Sequence, residues 1–141
     1  MEKMTCGSDG LKDRGSVVLI VKSKVCLIKR TRKGSVYYVF PGGGIEKGET
    51  PEEGAKREAL EELGVEVKIG SCLAEVAYKG TQYFFKADII GGTFGTGQGA
   101  EYTDKDRDRG TYLPIWLNKE ELLACDVRPK EVVSRIESLL R

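Results

Sequence analysis

Two apolar segments separated by a short polar link open the ordered part of the chain. The segment "SVVLIVK" (residues 16–22) is a continuous aliphatic run of the kind found in strands buried on both faces. After the link, "VCLIKR" (residues 25–30) repeats the pattern, which predicts a β-hairpin. "VYYVF" (residues 36–40) predicts a third strand. Pro41 and three glycines follow, and there we expect the backbone to leave regular structure.

A helix with clear end signals comes next. Thr50 suits the N-cap, Pro51 the first helical position, and Glu53 completes a capping box. Gly64 suits the left-handed position after a helix, so we expect the helix to cover residues 51–63. Its predicted apolar stripe contains Ala55, Ala59, Leu60 and Leu63. The small alanines would allow close packing on a sheet.

The rest of the chain alternates predicted strands with two further helices. Apolar segments at residues 66–78, 82–90 and 110–117 predict strands. Asn118 caps a short helix, and Pro129 begins a last one. The apolar face of that last helix contains Val132, Val133, Ile136, Leu139 and Leu140. We therefore expect one α/β domain over residues 14–141, after a flexible N-terminal segment at residues 1–13.

Composition restricts the chemistry available to this domain. The chain has 141 residues, a formal net charge of +1 and no histidine. The near-zero charge favours neither nucleic acid nor an anionic membrane as a partner, and no apolar run approaches the roughly 18 residues of a membrane helix. Acid–base work must come from carboxylates, lysine, tyrosine, cysteine or water. Four widely spaced cysteines indicate a reducing cytoplasm, with Cys26 as a buried thiol.

Three carboxylates cluster in the segment "REALEELG". Glu58, Glu61 and Glu62 stand at i, i+3 and i+4, on one face of the predicted helix, where like charges repel by a few tenths of a kcal/mol. A solvated acidic face is the common explanation of such a run. The alternative is a site for a hard divalent cation, which takes oxygen ligands and removes the repulsion.

The residues around this cluster favour the metal site. From residue 43 to residue 65 the chain matches, position for position, the Nudix box G-x5-E-x7-R-E-U-x-E-E-x-G-U, where U is aliphatic. The matched positions are Gly43, Glu49, Arg57, Glu58, Ala59, Glu61, Glu62, Gly64 and Val65. The chain therefore resembles a Nudix hydrolase of the MutT-like type, with Ala59 small for its position.

The resemblance implies an α/β/α sandwich around a mixed β-sheet and Mg²⁺- or Mn²⁺-dependent hydrolysis of a nucleoside diphosphate linked to a group X. It also implies residue roles. Glu58, Glu61 and Glu62 would ligate metal together with a carbonyl of the glycine loop, that of Gly42. Arg57 would hold the acidic face in place by pairing with Glu49, Glu53 or Glu61. Glu49 would ligate metal or orient water. Glu101, in the glycine-rich loop at residues 91–110, would ligate metal or act as general base.

Candidate substrate-binding residues lie on the second and third strands. Arg30 and Arg32 are candidates for binding phosphate, because guanidinium presents a planar donor fork. Tyr38 and Phe40 share one side of their strand and are candidates for stacking on a base, with core packing as the alternative.

Several functions stay open at this point. The compact chain favours a nucleoside triphosphate, with an oxidised base as one option, over ADP-ribose or a dinucleoside polyphosphate. A non-catalytic nucleotide sensor is the rival class, although such a domain would not need all three glutamates. An RNA-cap hydrolase is disfavoured by the neutral charge. We expect a monomer or a homodimer.

Overall fold

The structure, a computed structural model, describes residues 12–96 and 111–140. The elements are β1 Arg14–Val21, β2 Lys24–Arg32, β3 Ser35–Val39, β4 Gly42–Gly44, α1 Pro51–Leu63, β5 Val65–Ala77, β6 Thr81–Gly92, β7 Thr111–Leu117, α2 Lys119–Ala124, β8 Val127–Arg128 and α3 Lys130–Ile136, with a 3₁₀ turn at Glu137–Leu139. None of the helices in these described ranges has the length and apolar character needed to cross a membrane.

The strands form one mixed sheet. The main order is β5-β6-β1-β2-β3-β8, with β4 paired to β1 and β7 paired to β2. The β1–β6 and β3–β8 pairs are parallel and the other pairs are antiparallel. The predicted hairpin of β1 and β2 is confirmed. Its two-residue link is Lys22–Ser23, and both residues have positive φ, as the tight turns of right-twisted hairpins require.

Helices cover both faces of this sheet. Val17 and Leu19 of β1 pack in a core with the buried side of α1, whereas Val18 packs in a second core with α2 and α3. The same alternation holds in β2, where Leu27 and Ile28 enter different cores. Continuous apolar strands are needed because both faces are buried. The α/β/α sandwich around a mixed sheet is therefore confirmed.

The predicted limits of α1 are confirmed at both ends. Thr50 and Glu53 form the reciprocal capping box, and Gly64 takes the left-handed conformation with φ of 80°. Ala55 and Ala59 are fully buried. Leu60 is instead 50% exposed, because it lies on the side of α1 away from the sheet. Leu139 of the last apolar face is likewise 39% exposed.

The three glycines after Pro41 form a strand, so the prediction of irregular backbone there was wrong. Gly42, Gly43 and Gly44 pair with the start of β1. A Cβ on Gly42 would meet the side chain of Ser16 and the backbone oxygen of Gly15. Glycine therefore permits a strand pairing that a larger residue would prevent.

Candidate active site

The first turns of α1 lie directly over β1. A Cβ on Gly15 would stand 2.7 Å from the carbonyl oxygen of Pro51 and 3.0 Å from the amide nitrogen of Ala55. Glycine at position 15 and alanine at positions 55 and 59 thus let backbone approach backbone. This close contact sets the face of α1 that carries the glutamates against the short strand β4.

Two of the three clustered glutamates point into the protein. Glu58 is 9% exposed and Glu62 is 6% exposed. The Oε1 atom of Glu62 accepts a hydrogen bond of 2.8 Å from the amide of Gly42. The carboxylate of Glu58 lies against Gly43, where it would overlap a Cβ. A solvated acidic face therefore does not describe these two residues, whereas the side chain of Glu61 is 49% exposed and fits that description.

Arg57 connects the acidic cluster to the loop before α1. Its guanidinium donates to Glu49 at 2.7 and 3.1 Å, to Glu58 at 3.1 Å and to Glu61 at 3.3 Å. It also donates to the carbonyl oxygen of Gly44 at 2.9 Å. The pairing with Glu49 and Glu61 is confirmed, and Glu58 is an additional partner.

The third predicted partner of Arg57, Glu53, has a different contact. Its carboxylate accepts a hydrogen bond from the backbone amide of Thr50 in the capping box.

The hydrogen bonds that Arg57 donates, with one from the amide of Glu46, lower the pKa of Glu49 to about 2. The hydrogen bonds to Glu49, and after them those to Glu58 and Glu61, raise the pKa of Arg57.

The donor atoms around β4 fit a hard divalent cation. Carboxylate and carbonyl oxygens are the ligands that Mg²⁺ and Mn²⁺ prefer. Such oxygens come from Glu58, from Glu62 and from the carbonyls of the glycine strand, and both glutamates are largely shielded from solvent. Within residues 12–96 and 111–140, no three acidic, histidine or cysteine side chains converge on one point as a full set of ligands. Mg²⁺ commonly binds through few protein ligands and completes its shell with water or phosphate.

A cavity of about 550 Å³ opens close to β4, with Arg14 and Ser16 of the neighbouring strand β1 in its lining. Its floor includes Phe40 and Phe84, whose rings meet edge to face at 5.6 Å. Three arginines line it, namely Arg14, Arg30 and Arg128, with Glu131 as the acidic residue of the lining. Arg14 links this cavity to the glycine strand, because its Nη2 atom lies 3.5 Å from the carbonyl oxygen of Gly42.

Aromatic rings hold two of these guanidinium groups. Arg30 lies 3.8 Å from the ring centre of Tyr112 and 5.7 Å from that of Tyr37. Arg128 lies 4.3 Å from the ring centre of Tyr37 and pairs with Asp126 at 2.8 Å. Stacking on a ring leaves the N–H edge of a guanidinium directed sideways, where it can meet a planar or tetrahedral anion.

The predicted substrate-binding residues separate into two groups. Arg30 and Phe40 line the cavity. Tyr38 does not, because it packs towards the core under α2 and α3. Burial, and then its electrostatic interaction and hydrogen bond with Cys125, raise the pKa of Tyr38. Arg32 is exposed at the end of β2 and is not part of the cavity lining. Glu101 lies outside the described residues.

The sequence alone did not point to Arg14, Tyr37 or Arg128. Tyr37 could have been found by weighing both faces of its strand, since its neighbour Tyr38 was a candidate. Arg128 comes to the cavity because β8 pairs with β3, which sets Arg128 beside Val39. No local signal in the sequence predicts the pairing of β3 with β8, because the two strands are far apart along the chain.

The family comparison bears directly on this site. The sequence model of the NUDIX domain matches residues 11–134, which include the glycine strand, α1 and the cavity wall. The chain belongs to the Nudix hydrolase family. The matched range contains the glutamate cluster, Glu58, Glu61 and Glu62, and its partner Arg57.

Solved structures share the fold of this Nudix hydrolase. A NUDIX hydrolase from Nitrosomonas europaea matches with a TM-score of 0.70 and 19% identity, over 91% of this chain and 87% of the other. An ADP-ribose pyrophosphatase from Streptococcus suis 89-1591 matches with a TM-score of 0.66 and 15% identity, over 92% and 91%. A UDP-X diphosphatase matches with a TM-score of 0.63 and 20% identity, over 91% of this chain and 60% of its own.

Proposed function

We propose that this Nudix hydrolase cleaves the diphosphate linkage of a nucleoside diphosphate-X substrate with Mg²⁺ or Mn²⁺, and that the substrate is a nucleoside triphosphate, with an oxidised base as one option. The observation that carries this proposal is that two buried carboxylates, Glu58 and Glu62, contact β4, while Arg14, which contacts the carbonyl of Gly42, lines a cavity together with two further arginines. A substrate that binds across β4 would bring its phosphates to the carboxylate side and its nucleoside to the aromatic floor.

The roles of the residues follow from their contacts. Glu58, Glu62 and the carbonyl of Gly42 would hold the divalent ion, with Glu61 as a further ligand from the exposed side. When bound, the ion neutralises phosphate oxygens and lowers the pKa of a water molecule. Arg57 is a positioning residue, because it ties the carboxylates of α1 to β4 through the carbonyl of Gly44.

Four carboxylates are candidates for the general base. Both carboxylate oxygens of Glu49 accept hydrogen bonds from Arg57, so we assign Glu49 to positioning rather than to proton transfer. Glu58, Glu61 and Glu101 are the other candidates. Each carries a carboxylate that could accept the proton of a bound water molecule.

A substrate panel tests the proposal. Purified protein would be assayed with Mg²⁺ and with Mn²⁺ on nucleoside triphosphates, their oxidised forms, ADP-ribose, a UDP-sugar, a dinucleoside polyphosphate and capped RNA. We expect the highest kcat/KM on a triphosphate, with release of pyrophosphate. Faster turnover of ADP-ribose or a dinucleoside polyphosphate would overturn the substrate assignment. Nucleotide binding without any turnover would identify a sensor instead.

The cellular setting is part of the same proposal. A monomer or homodimer in the cytoplasm, binding neither nucleic acid nor membrane, stays our prediction. Its support is the near-neutral charge and the spacing of the cysteines. Size-exclusion chromatography with light scattering would distinguish the two oligomeric states.

A further inference from the structure

A second hollow, of about 300 Å³, lies beside the glycine strand and shares Arg14, Tyr78 and Gln82 with the larger cavity. Its lining consists of Lys12, Arg14, Gly44, Tyr78, Lys79 and Gln82. Three of these six residues are cationic and none is acidic. The larger cavity differs, because it has an aromatic floor and includes Glu131 in its lining.

The backbone brings the two lysines together. The amide of Lys12 donates a hydrogen bond of 3.0 Å to the carbonyl oxygen of Lys79, in the turn between β5 and β6. The side chain of Lys12 then runs over Gly44, where a Cβ would stand 2.8 Å from its Cε atom and 3.0 Å from its Nζ atom. The ammonium group of Lys12 therefore lies next to the strand that contacts Glu58 and Glu62.

The acidic groups near this hollow bond mainly to other residues, although the charge of Lys12 also helps to lower the pKa of Glu49. Asp13 accepts a hydrogen bond of 2.9 Å from the amide of Thr81, and Glu49 pairs with Arg57. Among the residues that the structure describes, neither Lys12 nor Lys79 has a carboxylate within ion-pair distance. The hollow thus concentrates positive charge close to the site proposed for cleavage, which attracts an anion.

We propose that this hollow is an anion subsite that holds phosphate groups of the substrate beyond the bond that is cleaved. The inference rests on the proposed function and deepens it, because it assigns residues to the phosphate that forms the group X of a triphosphate. The larger cavity, with its aromatic floor, would take the nucleoside. Arg14 borders both spaces and would contact the phosphates between them.

Charge complementarity is the reason for choosing an anionic X over a neutral sugar. A hydroxyl-rich sugar would leave the three cations of the hollow without a counter-charge. It would also displace water from these cations without offering an interaction that replaces their lost hydration. A phosphate offers several strong acceptor oxygens to ammonium and guanidinium donors at once. The arrangement therefore discriminates by charge.

Binding of inorganic tripolyphosphate tests the subsite without any turnover. The test variant combines Lys12→Gln with Lys79→Gln, and the matched control combines Lys24→Gln with Lys33→Gln. Lys33 is a close match for Lys79, because both have φ of 52° and both precede a glycine of positive φ in a hairpin turn. Lys24 and Lys33 line neither hollow.

Isothermal titration calorimetry in metal-free buffer would measure the dissociation constant at low and at high salt. We expect wild type and control to bind alike, and the test variant to bind about three- to tenfold more weakly, as loss of two exposed charge contacts allows. The difference should shrink at high salt. Equal affinity of test and control variants, or an equal loss in both, would overturn the subsite.

A kinetic comparison separates this inference from the proposed function. The ratio of kcat/KM for a nucleoside triphosphate to that for a nucleoside diphosphate sugar should fall in the test variant and stay constant in the control. A constant ratio in an active enzyme would overturn the subsite alone. Absence of turnover on every nucleotide, with lysine-dependent tripolyphosphate binding, would overturn the proposed function and leave the subsite standing.

Discussion

At the scale of single residues, one guanidinium offsets part of the charge of a larger acidic group. Arg57 contacts the carboxylates of Glu49, Glu58 and Glu61, while Glu62 bonds to the backbone of Gly42. Four carboxylates exceed this one guanidinium by three negative charges, of which the ammonium group of Lys12 beside Gly44 offsets at most one. Such a surplus suits a divalent cation, and it also means that neutralising Glu62, which bonds to a backbone amide, should not weaken the folded state through charge.

Two substitutions at Glu62 separate its charge from its hydrogen bond. In Glu62→Gln the side-chain oxygen can still accept from Gly42, so we expect near-normal stability and a large loss of turnover. In Glu62→Ala the buried amide loses its acceptor, which should lower the free energy of unfolding by about 1–3 kcal/mol. Urea denaturation and kcat on the best substrate would measure both effects. Wild-type activity in Glu62→Gln would remove Glu62 from the proposed metal site.

The low pKa of Glu49 predicts a dependence of stability on pH. Because the folded-state pKa is about 2 and the ordinary value is 4.5, the Arg57–Glu49 contact should contribute its full stability above about pH 4.5. That contribution should fade as pH falls from 4.5 through 2. Urea denaturation of metal-free protein between pH 3 and pH 6 should therefore show a flatter acid limb in Glu49→Gln than in wild type.

The control for this measurement is Glu75→Gln, an exposed glutamate on β5. It should keep the acid limb of the wild type. An unchanged slope in Glu49→Gln would show that the contact with Arg57 does not control acid stability in this range.

Glu101 is a candidate general base because it lies in the glycine-rich sequence segment at residues 91–110. If it accepts the proton of the attacking water, Glu101→Gln should lower kcat strongly and change KM little. The pH–rate profile should lose its acidic limb as well. A near-normal kcat and profile would return the role to Glu58 or Glu61, and Glu61→Gln would then be the variant to measure.

At the scale of elements, the helix and the strands differ in what their sequence could predict. The limits of α1 follow from local signals at Thr50, Pro51 and Gly64, so the prediction was right to the residue. The strand at the three glycines was missed, because its pairing with β1 depends on distant contacts. The sequence also did not determine which face of β3 lines the cavity, since Tyr37 and Tyr38 place an aromatic ring on each face.

The packing of α1 on the sheet gives a prediction for the whole helix. Ala59 is fully buried against the sheet, so Ala59→Leu should force the helix away and cost about 1–3 kcal/mol of stability. Leu60 faces outward, and Leu60→Ala should change stability by less than about 0.5 kcal/mol. Urea denaturation would compare the two. A neutral Ala59→Leu with a costly Leu60→Ala would reverse the orientation assigned to α1.

At the scale of the molecule, the site spans the two layers of the sandwich. The carboxylates belong to α1, whereas the cavity takes residues from both faces of the sheet: Val39 packs with the α1 core, and Phe40 and Phe84 pack with the core of α2 and α3. Strand β4 is the place where both sides meet, since Gly42 contacts Glu62 through its amide and Arg14 through its carbonyl. Sequence reasoning found the α1 side, where the residues are neighbours along the chain. It found only Arg30 and Phe40 of the cavity, whose lining residues come from six strands.

A site that bridges both layers predicts coupled binding of metal and nucleotide. Each ligand that binds only the folded state raises the melting temperature according to its affinity. If the phosphates contact the arginine side and, through the ion, the carboxylate side, each ligand strengthens binding of the other. Mn²⁺ together with a non-hydrolysable triphosphate analogue should then raise the melting temperature by more than the sum of the separate shifts.

Differential scanning fluorimetry over the four combinations of metal and analogue would measure this excess. In Glu62→Gln the excess should vanish while the shift with analogue alone persists, because the cavity side of the site is untouched by the substitution. Glu120→Gln, on the exposed first turn of α2, should keep the excess of the wild type. Strictly additive shifts in the wild type would mean that metal and nucleotide occupy independent sites, and the assignment of one substrate path across β4 would then be wrong.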